Sequence, residues 1–343
     1  MSRDYNVVIP THGRNLALLI EAIDSVLGQT VLPDRVLVVV DGAAGVGAWL
    51  RDRRPSVEVI EHERSLGQAA ARQTGMCAAT ATWIAFLDDD DLWSPVKQQV
   101  FFEYVEQHPG CEAVRAGYWM FASPQAEVPP VFGQVVELVG ADLTELEAHA
   151  LSARPRNDLS YLDIEGASLE LMLERNRGVI STSMVRQSIL ARTPAVPTGL
   201  HPGDDYVLFC HVAALTEWHL VRQRLAYYRL HAGQDSRRGG AGRALSILRS
   251  KRIAWEINGA RSRRPLSSYG AHYAAEVRGL VWVSVKRGRW CDALRIYRAG
   301  IALLPRPWHR LIAAVPEPLA WRTQRVLRSG PGARDWGQQA PVW

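Results

Sequence analysis

Cysteine is scarce in this chain, and what there is lies scattered. Its four cysteines, Cys77, Cys111, Cys210 and Cys291, form no CxxC pair. Neither a zinc site nor a disulfide framework is indicated, and such usage suits a reducing compartment. Long apolar runs are missing as well, none approaching the roughly 18 residues that a membrane-spanning helix needs. Residues 1–6 lead straight into a strand pattern and leave no room for a secretory leader, so a cytoplasmic protein is expected. Acidic residues are few towards the end. Residues 221–343 hold 24 Lys and Arg against 6 Asp and Glu, whereas the first 220 hold 16 against 29, a split hidden by the net charge of +5. A basic end of this kind suits an anionic partner, or is a helical appendage with a solvated arginine face.

What is present makes a large folded unit: 343 residues, 47 % apolar and 22 % charged. One stretch stands apart, Trp83-Ile-Ala-Phe-Leu-Asp-Asp-Asp-Asp-Leu-Trp93. Its apolar run has no helical period and is long enough for a strand buried on both faces. It breaks into four consecutive aspartates, Asp88 to Asp91, which repel one another unless a cation or a set of donors stands near. Oxygen ligands on a strand end suit Mg²⁺ or Mn²⁺, with a diphosphate completing the shell. The alternative is a solvated acidic turn ahead of the helix that follows Ser94-Pro95.

Around this stretch, strand and helix alternate. Strands are expected at residues 5–10, 35–40 and 57–61, with helices at 16–27 and 68–79, which predicts a doubly wound and mainly parallel sheet. Thr11 to Arg14, Asp41 and Asp88 to Asp91 then all fall at carboxyl ends of strands, where such sheets bind ligands. Residues 122–156, rich in proline, read as strands and loops. Strands follow at 178–185 and, as a pair, at 217–230. Helices are expected at 167–175, from about 186 to 191, at 207–215 and across 243–305. The glycines of Gly239-Gly-Ala-Gly242 mark a boundary.

Five motifs in order carry a resemblance: Val8-Ile-Pro-Thr-His-Gly-Arg14, Ser25-Val-Leu-Gly-Gln-Thr30, Val38-Val-Val-Asp-Gly42, Leu66-Gly-Gln-Ala-Ala-Ala-Arg72 and Phe86-Leu-Asp-Asp-Asp-Asp-Leu-Trp93. Together they resemble the family 2 glycosyltransferases of the GT-A fold, over residues 5–120 and again over 178–235. The resemblance implies a GT-A catalytic domain at 1–235 and a lid loop with a basic helical appendage at 236–343. It implies an inverting transfer of sugar from a nucleoside diphosphate to an acceptor hydroxyl, assisted by Mn²⁺ or Mg²⁺, in the synthesis of polysaccharide or glycoconjugate. Asp90 is the leading metal ligand, with Asp88 or Asp89 on sugar or ribose hydroxyls, and His231 reaches the metal or diphosphate or is structural. Asp205 is the implied base, the second acid of Asp204-Asp205. Asp41 is implied to accept the uracil N3–H, which favours a UDP-sugar.

Pro10, Thr11, Arg14 and Gly67 are implied to line the donor, with His12 as a wall beside the base. Arg72 contacts phosphate or forms a helix-surface ion pair, and Arg237, with Arg238, belongs to a lid over the diphosphate. A carbohydrate or lipid-linked acceptor is expected. So is peripheral contact with an anionic membrane through the basic end, whose segment 307–327 either lies on that membrane or packs on the domain. Nucleic acid is not an expected partner. Two rival readings remain: a sugar nucleotidyltransferase, disfavoured by the single glycine of Thr11-His-Gly-Arg14, and a binding module without catalysis.

Overall fold

The computed structural model describes residues 3–124, 135–155, 157–231, 241–302 and 304. Two compact units are present, Met1–Arg237 and Arg238–Trp343.

In the first unit, β1 (Tyr5–Thr11), β2 (Arg35–Asp41), β3 (Glu58–His62) and β4 (Trp83–Phe86) run parallel in the order β3-β2-β1-β4. Every residue of β1 is buried, as a strand covered on both faces requires. The covers are α1 (Leu16–Leu27), α2 (Val46–Arg53) and α3 (Gln68–Ala78). The Asn15 side chain caps α1 by accepting from the Leu18 N–H. Helix α3 is built of small residues because it lies close on the sheet: a Cβ on Gly75 would meet Val8 Cγ1 at 2.4 Å.

The chain winds from β1 outward to β3, then returns to the other side of β1 with β4. That reversal is a topological switch point, where strand ends diverge and leave a crevice. Thr11 and the aspartates flank it.

Beyond β4 the sheet becomes mixed. It continues through β8 (Ser183–Arg186), β6 (Ala113–Ala122) and β9 (Trp218–Arg229) to β5 (Leu92–Trp93), with β7 (Leu138–Val139) beside β6. β8 is antiparallel to β4 and β6, and β5 to β9. Five of the eight pairings described are parallel, so the doubly wound and mainly parallel sheet expected is what forms. α4 (Lys97–Gln107) joins β5 to β6.

Several boundaries depart from expectation. Residues 218–229 form one strand instead of two, because β9 pairs along nearly its whole length with β6 across a bulge at Gly117. Residues 180–182 make a short helical turn before β8 begins. The segment expected as strands and loops contains α5 (Leu143–Ala150), whose cap is reciprocal: Asp142 Oδ1 accepts from the Glu145 N–H and Glu145 Oε2 from the Ala141 N–H. After α6 (Ser168–Glu174) and α7 (Gln187–Leu190), α8 (Asp204–Ala213) starts three residues earlier than its periodicity indicates. Gly203 at φ 117 turns the chain into it, and two acids in its first turn face the positive end of the helix dipole.

The second unit contains α9 (Ala241–Asn258), α10 (Gly270–Lys286) and α11 (Trp290–Ile301), the helices expected there. The segment 307–327 and Arg237 and Arg238 of the expected lid lie outside the described residues. No described helix is long and apolar enough to cross a membrane.

Candidate functional site

The four aspartates have four different surroundings. Asp91 is buried and points inward: Oδ2 accepts from the Ser181 hydroxyl at 2.6 Å and Oδ1 from the Arg229 N–H at 3.0 Å. Burial, then the charges of Asp90 and Asp88, raise its carboxyl well above the ordinary range. Asp88 Oδ1 accepts from Arg72 Nη2 at 2.6 Å and from the Gln68 amide at 3.2 Å. Burial outweighs the Arg72 charge there and the carboxyl moves up. Asp89 Oδ2 accepts from the Thr11 hydroxyl at 2.5 Å, and burial with the neighbouring Asp90 pushes it up to about 7. Asp90 meets His231, Oδ2 to Nε2 at 3.1 Å, with both side chains partly open to solvent.

Two residues hold this tip in place and are missed by motif reading. Ser181 accepts from the Asp88 N–H at 3.1 Å while donating to Asp91, and its carbonyl accepts the Trp93 indole N–H at 2.7 Å. Arg229 donates Nε to the Asp90 carbonyl at 2.8 Å, Nη1 to the Ser123 hydroxyl and Nη2 to Glu21, and lies over the Phe121 ring. The sequence signal for Arg229 was its place two residues before His231; nothing local marked Ser181.

Asp204 and Asp205 open α8. Asp204 accepts from Arg72 Nη1, so one buried guanidinium joins the aspartate tip to the start of α8. Arg72 therefore lies on no helix surface. Burial works against its charge, but Asp204, Asp88 and Asp205 together hold it more firmly protonated than a free arginine. Asp205 stands apart from that pair: Oδ1 accepts from the Tyr206 N–H at 2.7 Å and Oδ2 is 3.4 Å from the Asn176 amide. Burial and the Asp204 charge lift it to about 6, against the lowering pull of Arg72. A carboxylate with that value, mostly buried but not sealed from solvent, is fitted to take a proton near neutral pH.

Asp41 is fully engaged by the protein. Oδ1 accepts from His62 Nδ1 and the Leu66 N–H, both at 2.8 Å; Oδ2 accepts from the Ser65 hydroxyl at 2.8 Å and the Gly67 N–H at 2.9 Å. These bonds outweigh burial and keep the carboxyl below its usual range. A carboxylate offers about four acceptor positions, so receiving a base N–H would require one of these donors to leave. The His12 ring meets the Asp41 carbonyl at 3.1 Å, and beside it a cavity of about 280 Å³ is lined by Gly42, Ala43, Ala44, Glu61, His62 and Glu63. Pro10 is buried in β1, Arg14 is exposed ahead of α1, and Gly67 at φ 94 precedes α3.

Gly42, at φ 73, is where backbone crowding is greatest: a Cβ would meet Ser65 N at 2.1 Å and Arg64 C at 2.5 Å. Gly42→Ala should therefore cost about 2 kcal/mol or more, seen as a lower urea midpoint at unchanged slope.

Among the described residues, no three His, Cys, Asp or Glu side chains converge into a ready cation cage. The Asp90–His231 pair nevertheless fits a divalent ion that takes most of its shell from a diphosphate and water, as Mg²⁺ and Mn²⁺ do. An imidazole nitrogen in the set leans towards Mn²⁺.

Comparison with known proteins agrees with this architecture. The family description "Glycosyl transferase family 2" matches residues 6–117. An uncharacterised glycosyltransferase of Nostoc sp. is 36 % identical over 223 residues, covering 63 % of this chain and 62 % of the relative. The uncharacterised glycosyltransferase EpsJ of Bacillus subtilis is 32 % identical over 139 residues, covering 39 % of this chain and 40 % of EpsJ. The chain spans less than half the length of most such curated relatives. Among solved structures, residues 1–349 of S. aureus TarS in complex with UDP-GlcNAc superpose with a TM-score of 0.58 at 13 % identity, covering 96 % of this chain and 93 % of that one. That likeness is one of fold, the GT-A sheet with its flanking helices. The likeness to glycosyl transferase family 2 thus rests on residues 6–117 and on the relative from Nostoc sp..

Proposed function

We propose that this protein is an inverting glycosyltransferase that moves a sugar from a nucleoside diphosphate, UDP favoured, to an acceptor hydroxyl of a carbohydrate or lipid-linked glycan. One observation carries the reading: Arg72 joins Asp88, at the tip of β4, to Asp204, the neighbour of Asp205. A donor-binding acidic tip and a proton acceptor are thereby held by one buried group, as a displacement between donor and acceptor requires.

Asp205 accepts the proton of the attacking hydroxyl as the new glycosidic bond forms, and the nucleoside diphosphate leaves from the opposite side. In-line attack inverts the anomeric configuration. Asp90 and His231 would hold a divalent cation, Mn²⁺ or Mg²⁺, which when bound would offset the charge gathering on the leaving diphosphate. Asp88 and Asp89 orient sugar or ribose hydroxyls, and Thr11 fixes Asp89 for that task. The base sits in the cavity lined by Gly42, Ala43 and His62, with His12 held nearby on the Asp41 carbonyl. Asp41 contributes by tying down residues 65–67. TarS was solved with UDP-GlcNAc, which supports a UDP-sugar donor here.

The test is a screen of UDP-, dTDP- and GDP-sugars with Mn²⁺ or Mg²⁺, reading nucleoside diphosphate release and donor affinity. Donor binding should depend on the cation, and Asp90→Ala should weaken it by about 10–100-fold and abolish that dependence. Cation-independent binding that Asp90→Ala leaves unchanged overturns the proposal. So does pyrophosphate release from UTP and a sugar phosphate, which identifies a nucleotidyltransferase.

A further inference from the structure

The α10–α11 hairpin of the second unit carries a surface that sugar transfer does not use. Ala293, Ile296 and Gly300 of α11 are buried. A side chain at Gly300 would meet Val277 of α10 at 2.5 Å, so the helices approach closely on that side. The opposite side of α11 is open. Trp290 is 66 % exposed and Leu294 49 %. Arg298 continues their row at four-residue steps, and Cys291 and Arg295, also exposed, form the row beside it. The turn leading into α11, Lys286-Arg287-Gly288-Arg289, is exposed throughout, with Gly288 at φ 69 making the reversal. Arg289 is neutralised by Asp292 at 2.5 Å. Residues 241–302 as a whole contain 13 Lys and Arg but only 3 Asp and Glu.

We infer that this hairpin docks the protein on an anionic lipid surface. Trp290 and Leu294 enter the head-group layer, and Arg287, Arg295 and Arg298 lie against the lipid phosphates. The chemistry on both sides of the contact matches. An indole is too large and apolar to sit well in water, yet its N–H needs a polar partner, and the head-group boundary supplies both environments. Arginines surrounding it repel a second basic surface and are drawn to a negative one. A helix face that mixes large apolar side chains with arginines suits an extended, deformable layer better than a small molecule. Nucleic acid would use the arginines but leave Leu294 without a role. The inference does not depend on the catalytic reading.

The experiment uses the full chain. Cys77, the other exposed cysteine, is changed to Ser so that an environment-sensitive dye reports from Cys291 alone; sedimentation of the unlabelled protein is read in parallel. Vesicles are of phosphatidylcholine, with or without phosphatidylglycerol. Expected are a blue shift and co-sedimentation with the anionic vesicles only, weakening as salt is added. Trp290→Ser should lower partitioning by about fivefold and the pair Arg295→Glu, Arg298→Glu by at least tenfold, with circular dichroism and free-solution donor hydrolysis unchanged. Four results overturn the inference: no binding, equal binding to neutral vesicles, a dye already shielded before lipid is added, or displacement from vesicles by duplex RNA at equal charge. None of these bears on Asp90→Ala, so the two proposals fail separately.

Discussion

Replacing Asp205 by Asn lowers kcat by about 10³–10⁴-fold and leaves donor affinity within a factor of a few, because the amide keeps the shape but accepts no proton. A sugar hydroxyl ionises far above neutral pH, so without a base the nucleophile must attack as the neutral alcohol. Two environments make Asp205 better suited than its neighbour. Asp204 accepts from the buried Arg72 and is committed to that ion pair. Among the described residues, Asp205 accepts hydrogen bonds only from the Tyr206 N–H and, at 3.4 Å, from the Asn176 amide. Its value of about 6, raised by burial and by Asp204, leaves it ionised at pH 7.5 and more basic than a solvated aspartate.

The pH dependence has a definite sign. A base must be deprotonated to act, so kcat/KM should climb with pH to about 6 and level off above it. Stability moves the other way. A carboxyl whose value is raised by folding binds its proton more tightly in the native state, so its ionisation above that value opposes folding. Asp205→Asn should thus melt at the same temperature as the wild type or higher at pH 7.5, with the advantage shrinking as pH falls towards 4 and both forms become neutral. A variant that loses activity and also melts lower at pH 7.5 would mark Asp205 as a structural cap of α8 instead of the base.

Much of the fold was legible because its signals are local. Val-rich runs at β1 and β2, the run that breaks at Asp88 and the small residues of α3 each state their surroundings within a dozen positions. What escaped was set by pairing at a distance. Arg229 reaches Asp91 across 138 residues, and only the register of β9 against β5 and β6 brings it there. Ser181 sits in a short helical turn where a strand was expected, so its hydroxyl gave no sign of bridging two aspartates. Helix α5 did have a local signal, the reciprocal cap of Asp142 and Glu145, hidden by the surrounding prolines. Asp41 shows the opposite limit: its position was legible, but the four donors that occupy it come from β3 and the loop after it.

Arg72→Met should be the most damaging single change, since it strikes stability and chemistry together. The guanidinium is buried and faces two carboxylates, Asp88 and Asp204, that have few other partners. Removing one member of a buried ion network leaves uncompensated charge and costs about 3–5 kcal/mol. Arg72→Lys should recover only part of this, because a single ammonium cannot reproduce a fork that meets Asp88 with one nitrogen and Asp204 with another. Adding Asp204→Asn to Arg72→Met removes one stranded charge and should restore a good part of the lost stability, measured by urea unfolding. It should not restore the rate, because the strut between the donor tip and α8 is still missing; kcat is expected to stay down by about 10²-fold or more. Arg72 also lowers the Asp205 value through its positive charge. Without it the rising limb of the pH profile should move to higher pH in the single variant, and less so in the double variant, where Asp204 no longer repels a second ionised acid. An Arg72→Met protein that is destabilised but keeps its pH limb near 6 would mean that the guanidinium only packs the core, with no hold on the base.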